Sequence, residues 1–210
     1  MGEPIPPDAG DGQGVSRLQL AAPTDEALAQ AARGGDQTAF RELYRRHAQR
    51  VYARLSRLVG LSADREDLTQ LVFWKFHEAL PRFRGDAPVG AFLHGIVIRV
   101  AYEALRRRKR TPTQLARDVD LEPLLVDCVE PEWRAQQRET LERLFGILDC
   151  LKPKHRIAFV LHAVEGLPLT EVARLTQTGP RTAGQRVAAA RKHIQRLIGR
   201  QAVTQAGGAQ

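Results

Sequence analysis

Residues 167–198, LPLTEVARLTQTGPRTAGQRVAAARKHIQRLI, decide the fold of the C-terminal half. Pro168 fits the first position of a short helix, LTEVARLT, in which Leu169, Val172, Ala173 and Leu175 recur at helical spacing. TQTG makes a turn, and Pro180 fits the start of a longer helix. With residues placed at about 100° per step, Val187, Ala190, Ile194, Leu197 and Ile198 fall within an arc of about 100° and predict its buried stripe. Thr182, Gln185, Arg186, Ala189, Lys192, His193, Arg196 and Arg200 lie opposite that stripe. Short helix, tight turn and longer helix make the helix-turn-helix plan, which seats the N-terminal end of its second helix in the major groove. The polar face has its chemistry in the matching order. Thr182, Gln185 and Arg186 carry hydrogen-bonding groups for base edges, and the cations beyond them suit phosphates. Arg191 flanks the stripe and is expected to snorkel or pair within the protein. A solvated basic face on an ordinary core helix is the competing reading of the same pattern.

Working outward, Pro153 opens a helix with Ile157, Val160, Leu161 and Val164 on one face, and Gly166 closes it. From Thr24 to Arg110 the apolar periodicity predicts four helices, interrupted at Gly34-Gly35, at Gly60 and between Pro81 and Pro88. Asp36 caps a helix striped by Phe40, Leu43, Tyr44, His47, Val51, Leu55 and Leu58, and Gly60 stops it. Ser62 is expected to cap the next, lined by Leu68, Leu71, Val72, Phe76 and Ala79. The last carries Val89, Phe92, Leu93, Ile96, Val97, Val100 and Leu105 and ends in RRRKR, residues 106–110. Cations suit a helix C-terminus, but five in a row repel one another unless an anion is near.

Between the halves, residues 111–132 hold three prolines and set six carboxylates against one arginine, in a chain whose net charge is +8. This composition predicts a flexible acidic linker. The fold class expected is all-α: two small helical domains, at 24–110 and 133–200, joined by that linker. Residues 1–23 and 201–210 are expected to be a disordered arm and tail.

Thirty-two lysines and arginines against 24 carboxylates favour a polyanionic partner. No run of eighteen apolar residues exists and the N-terminus lacks the pattern of a secretory signal, so a cytoplasmic protein without membrane insertion is expected. Cys128 and Cys150 are too few for a disulfide framework, and Cys150, His155 and His162 lack zinc spacing. No metal, no cofactor and no catalytic residues are expected, since the motifs HExxH, GxGxxG and GxxxxGK[ST] are all missing.

DREDLTQLVFWKF (64–76), FRGDAPVGAFLHGI (83–96) and RRRKR resemble region 2 of a bacterial sigma factor. LKPKHRIAFVLHAVEGLPLTEVARL (151–175), with the basic helix after it, resembles region 4. The two motifs in this order, over roughly residues 25–198, resemble the extracytoplasmic-function (ECF) subgroup of the sigma-70 family. The resemblance implies an initiation factor that binds core RNA polymerase and directs it to −10 and −35 promoter elements. Glu66, Asp67, Gln70 and Trp74 would then dock on the β′ clamp, and region 4 on the β flap. Phe83, Arg84, Gly85 and Asp86 would shape the pocket for a flipped −10 base. Arg99, Arg106, Arg107, Arg108, Lys109 and Arg110 would hold −10 phosphates. Arg181, Thr182, Gln185, Arg186, Ala189, Lys192 and Arg196 would face the −35 element. The family also implies an anti-sigma factor and a chain that is monomeric when free of partners. The alternative is a helix-turn-helix regulator that acts without polymerase.

Overall fold

The computed structural model describes residues 22–60, 64–110 and 131–207, and side chains within 22–60, 64–110 and 139–199. Among them every regular element is helical: α1 (Asp25–Arg33), α2 (Gln37–Val59), α3 (Arg65–Ala79), a short 3-10 turn (Leu80–Arg82), α4 (Val89–Arg110), α5 (Pro131–Asp149), α6 (Pro153–Phe159), a π turn (Val160–Val164), α7 (Leu169–Leu175) and α8 (Pro180–Gly207). The arm at 1–21 and the linker at 111–130 lie outside the described residues. α5 begins two residues inside the expected linker, and α8 runs seven residues past its expected end.

Local chemistry sets the ends of the first helices. Thr24 Oγ1 accepts from Ala27 N at 3.2 Å at the start of α1, and Asp36 Oδ1 accepts from Thr38 and Ala39 at the start of α2. The expected Ser62 cap lies outside the described residues; Asp64 occupies the cap position of α3 without a side-chain cap bond. α2 runs through the middle of the first domain and packs on α1, α3 and α4. Leu43, Val51, Leu55 and Leu58 of α2 meet Leu68, Val72 and Phe76 of α3 and Leu93, Val97 and Val100 of α4 in one buried core. Tyr44, expected in that stripe, is instead exposed and lays its ring on Phe73 at 4.5 Å. Asp25 ties α1 to α2 through His47 at 2.6 Å and Arg46 at 3.0 Å. Burial alone would raise the Asp25 pKa, but the hydrogen bonds from Arg46 and His47 outweigh it and hold the carboxyl below its usual range.

In the second domain α6 packs on α8, and α8 on α7. Ile157, Val160 and Leu161 are buried as their spacing predicts, but Val164 is 49% exposed. The π turn explains it. Glu165 N bonds back five residues to Val160 O at 2.9 Å, and the extra residue rotates Val164 outward. Pro168 is the residue before α7 and not its first helical residue. Four residues, Thr176 to Gly179, join α7 to α8. Gln177 takes a positive φ of 52°, while Thr178 N reaches Ala173 O at 2.9 Å and the Thr176 hydroxyl reaches Val172 O at 2.7 Å. Ala183, Val187 and Ala190 form the buried stripe of α8. Ile194 and Leu197 are half-buried, and Ile198 is exposed because the stripe outruns the surface it covers.

Gly184 sits inside α8, where a methyl group would lie 3.5 Å from Leu169 Cδ1, in ordinary contact. Replacing Gly184 with Ala is therefore expected to stabilise the protein by about 1 kcal/mol through helix propensity. A thermal melt that shows a lowered midpoint would contradict this.

Candidate polymerase and nucleic-acid interfaces

Glu66, Asp67, Gln70 and Trp74 recur at helical spacing and are all exposed on α3, while Leu68, Val72, Phe73 and Phe76 bury its other side. Trp74 is 57% exposed, with Lys75 Nζ 5.9 Å from its ring. A large aromatic is thus left uncovered beside two carboxylates on one side of α3.

The loop after the 3-10 turn holds Phe83, Arg84, Gly85 and Asp86. Arg84 and Asp86 are exposed and Gly85 takes a φ of 79°. Phe83 is half-buried, its ring 5.1 Å from Phe92, and its carbonyl accepts from Arg33 at 3.5 Å. One face of the loop is thereby fixed to α4, and Arg84 and Asp86 face solvent on the other. Glu26 accepts from Val89 N at 3.4 Å, which places an anion at the start of α4.

On α4, Arg99, Arg106, Arg107, Lys109 and Arg110 are exposed. Arg108 is different. Its Nη1 donates to Val59 O at 2.9 Å and its Nη2 pairs with Asp64 at 3.0 Å, so it closes the end of α2 inside the protein instead of facing a phosphate. That engagement also relieves part of the repulsion within the basic run.

Thr182, Gln185, Lys192 and Arg196 share the exposed side of α8, joined by Arg181 at its first turn. Ala189 and Arg186 are half-buried. Arg186 lies close enough to α6 to depress the pKa of His155, where burial acts first, followed by Lys152, Arg186, His193 and Lys109. Arg191, expected to snorkel or pair within the protein, is exposed and has no ion-pair partner among the described residues. No side chain of opposite charge stands on its flank of α8. Arg200 lies outside the described side chains. Among the described residues no cluster of histidine, cysteine or carboxylate could hold a metal ion, and no helix is long and apolar enough to cross a membrane.

The sequence reading missed a set of charged groups where the two domains meet. Arg156 is 1% exposed; its Nε donates to Leu58 O at 2.7 Å and its Nη1 pairs with Asp149. Burial pushes the Arg156 pKa down and the Asp149 charge opposes that shift. Glu165, its side chain 6% exposed, faces Arg54 at 3.2 Å and Arg57 at 3.6 Å, with His94 Nε2 3.7 Å away. An arginine between Pro153, the first residue of α6, and the apolar residues of 157–161, with an aspartate seven residues before it, is the sequence signal of this contact.

Two family models match in the order the folds occur: sigma-70 region 2 over residues 43–111 and sigma-70 region 4 over residues 141–194. The ECF RNA polymerase sigma factor SigM of Mycobacterium tuberculosis H37Rv is 33% identical over 84% of this chain and 85% of its own length. The chain belongs to the ECF sigma factors. The ECF sigma-E factor of Escherichia coli K12 is 28% identical over 83% of this chain and 94% of its own length. Among solved structures, CnrH in complex with the cytosolic domain of CnrY superposes with a TM-score of 0.56 at 25% identity, over 83% of this chain and 96% of that one. The sigma factor RpoE of Bartonella quintana, solved with the anti-sigma factor NepR, gives 0.54 at 19% identity, over 76% and 96%, and shares the fold. As a sigma factor the protein directs RNA polymerase and has no catalysis of its own.

Within this sigma factor His94 provides a pH handle. Burial, with Arg54 and Arg174 acting the same way and Glu171 opposing, pushes its pKa down to about 4. At neutral pH it is therefore uncharged beside Glu165. Above pH 6.5 the imidazole is neutral in folded and unfolded chains and pH has no hold on stability through it. Between pH 6.5 and about 4 the unfolded chain takes up the proton and the folded one does not, so stability falls as pH falls. Urea midpoints should drop more for the wild type than for His94→Gln between pH 7 and pH 5; equal drops would refute the assignment.

Proposed function

We propose that this sigma factor brings core RNA polymerase to promoters with both a −10 and a −35 element and aids strand opening at the first. The observation that carries the reading is the pairing of an uncovered α3 face with two separate basic faces, one on each module. Glu66, Asp67, Gln70 and Trp74 would meet the β′ clamp, and region 4 the β flap. Phe83, Arg84, Gly85 and Asp86 line a loop with an aromatic and a cation for an unstacked base, and Arg99, Arg106, Arg107, Lys109 and Arg110 offer cations to phosphates. Arg181, Thr182 and Gln185 stand at the leading end of α8, where groove entry occurs, with Lys192 and Arg196 behind them for the backbone. Arg186 and Ala189 border that face. Work on DNA with polymerase would put the protein in the cytoplasm. One solved neighbour is in complex with the cytosolic domain of CnrY and another with the anti-sigma factor NepR, which supports an anti-sigma factor for this chain too.

Run-off transcription with purified core polymerase tests the reading. Adding the chain should give promoter-specific starts, and none on any genomic template would refute it. Trp74→Ala should weaken core-polymerase binding by about 2 kcal/mol, roughly thirtyfold, if it is the anchor of the docking face; unchanged affinity in a pull-down removes it from that face. Gln185→Ala should cost about 1–3 kcal/mol at the −35 site while leaving unrelated DNA unaffected. Equal weakening on all sequences would make it a backbone contact.

A further inference from the structure

We propose that α1 braces the loop between the 3-10 turn and α4, and that Glu26 and Arg33 are positioning residues which hold that loop in the shape that receives an unstacked base. This role rests on the base-capture reading above.

The two side chains take hold of the loop at its two ends. Arg33 Nη1 donates to the Phe83 carbonyl at 3.5 Å, where the loop leaves the 3-10 turn, and Val89 N donates to Glu26 Oε1 at 3.4 Å, where the loop enters α4. Seven residues separate Glu26 from Arg33, which puts them within about 20° of each other around α1 and about 10 Å apart along it. Val89 is the first residue of α4, so its N–H has no acceptor within that helix. Glu26 supplies one and brings a negative charge to the positive end of α4. Both residues precede the stretch that matches sigma-70 region 2, and neither is among those to which the sigma-factor resemblance gives a role.

Attachment of α1 does not need these bonds. Leu28, Ala29 and Ala32 bury its inner side, and Asp25 ties it to α2 through Arg46 and His47. Glu26 and Arg33 flank that buried side and are exposed. What they act on is the loop. Leu80 and Val89 are buried at its feet and the Phe83 ring rests on Phe92 at 5.1 Å, but Arg84, Gly85 and Asp86 are exposed, with open space where a Gly85 side chain would stand. Such a loop keeps conformational freedom that a ligand must remove on binding, and a contact made beforehand lowers that cost. An aromatic and a cation serve a base only in a fixed arrangement, and the brace fixes the backbone on either side of residues 84–86.

Two measurements on the full chain test the brace. Deuterium exchange of the free protein reads the contact itself: Glu26→Ala should speed exchange at the Val89 amide, and Glu26→Gln, which keeps an acceptor, should leave it near the wild-type rate. Strand binding by the holoenzyme reads its use, the probe being the non-template strand across the −10 region of a template on which the wild type starts transcription. Combining E26A with R33A removes one charge of each sign and should weaken that strand by about tenfold, while a duplex carrying only the −35 region binds as before. E26Q with R33K should recover most of the loss. The brace is overturned if Val89 exchange is unchanged in E26A, if E26A with R33A holds the strand as the wild type does, or if strand and duplex weaken together, the mark of a damaged fold. Should the wild-type holoenzyme itself fail to hold the strand, the base-capture reading falls, and the exchange result still decides whether α1 holds the loop.

Discussion

The last carbonyls of an α-helix have no partners within it, and the end of α2 meets that need with arginines from two different modules. Arg108 of region 2 takes the Val59 carbonyl and Arg156 of region 4 takes the Leu58 carbonyl. A guanidinium suits the task because the helix end carries partial negative charge and the planar fork leaves further donors for a carboxylate. Asp64 and Asp149 supply those carboxylates, one within each module. The bond at Leu58 is thus both a helix cap and a tether, and the orientation of region 4 on region 2 depends on it.

Burying a guanidinium is costly, and an ion pair in the interior returns little net stability. What it returns is register, since one carbonyl and one carboxylate fix where Arg156 can stand. Gly60 and the π turn have the same effect by other means. The first removes the side chain that would hold Phe145 and Arg156 off, and the second shifts the helical phase by one residue so that Glu165 points at α2 while Val164 points to water.

The same phase shift marks where the sequence stopped being informative. Periodicity located α2, α4, α7 and α8 because their apolar residues face one buried side; Asp36 announced a helix start by its capping carboxylate, and Gly166 a helix end by the positive φ it can adopt. It misplaced Val164, because a constant 100° step cannot foresee a π turn. It misplaced Tyr44 and Ile198, because a stripe drawn on one helix says nothing of how far its neighbour extends. The polar side of α3 was legible from local spacing, while its reading as a docking face came from the resemblance to sigma factors. Arg108 and Arg156 were not: the carbonyls they bond lie 49 and 98 residues away, and no local rule separates a capping arginine from one that faces DNA.

The contact between the modules is therefore better described as balanced than as strong. Arg57 Nε and His94 Nε2 approach Glu165 only at 3.6 and 3.7 Å, beyond hydrogen-bond reach, and Arg54 and Arg57 remain partly exposed to water, so these contacts return little net stability. A core built for permanence would replace such groups with apolar ones of similar volume. Keeping charges here gives the modules one defined way to pack while leaving little net free energy in the contact.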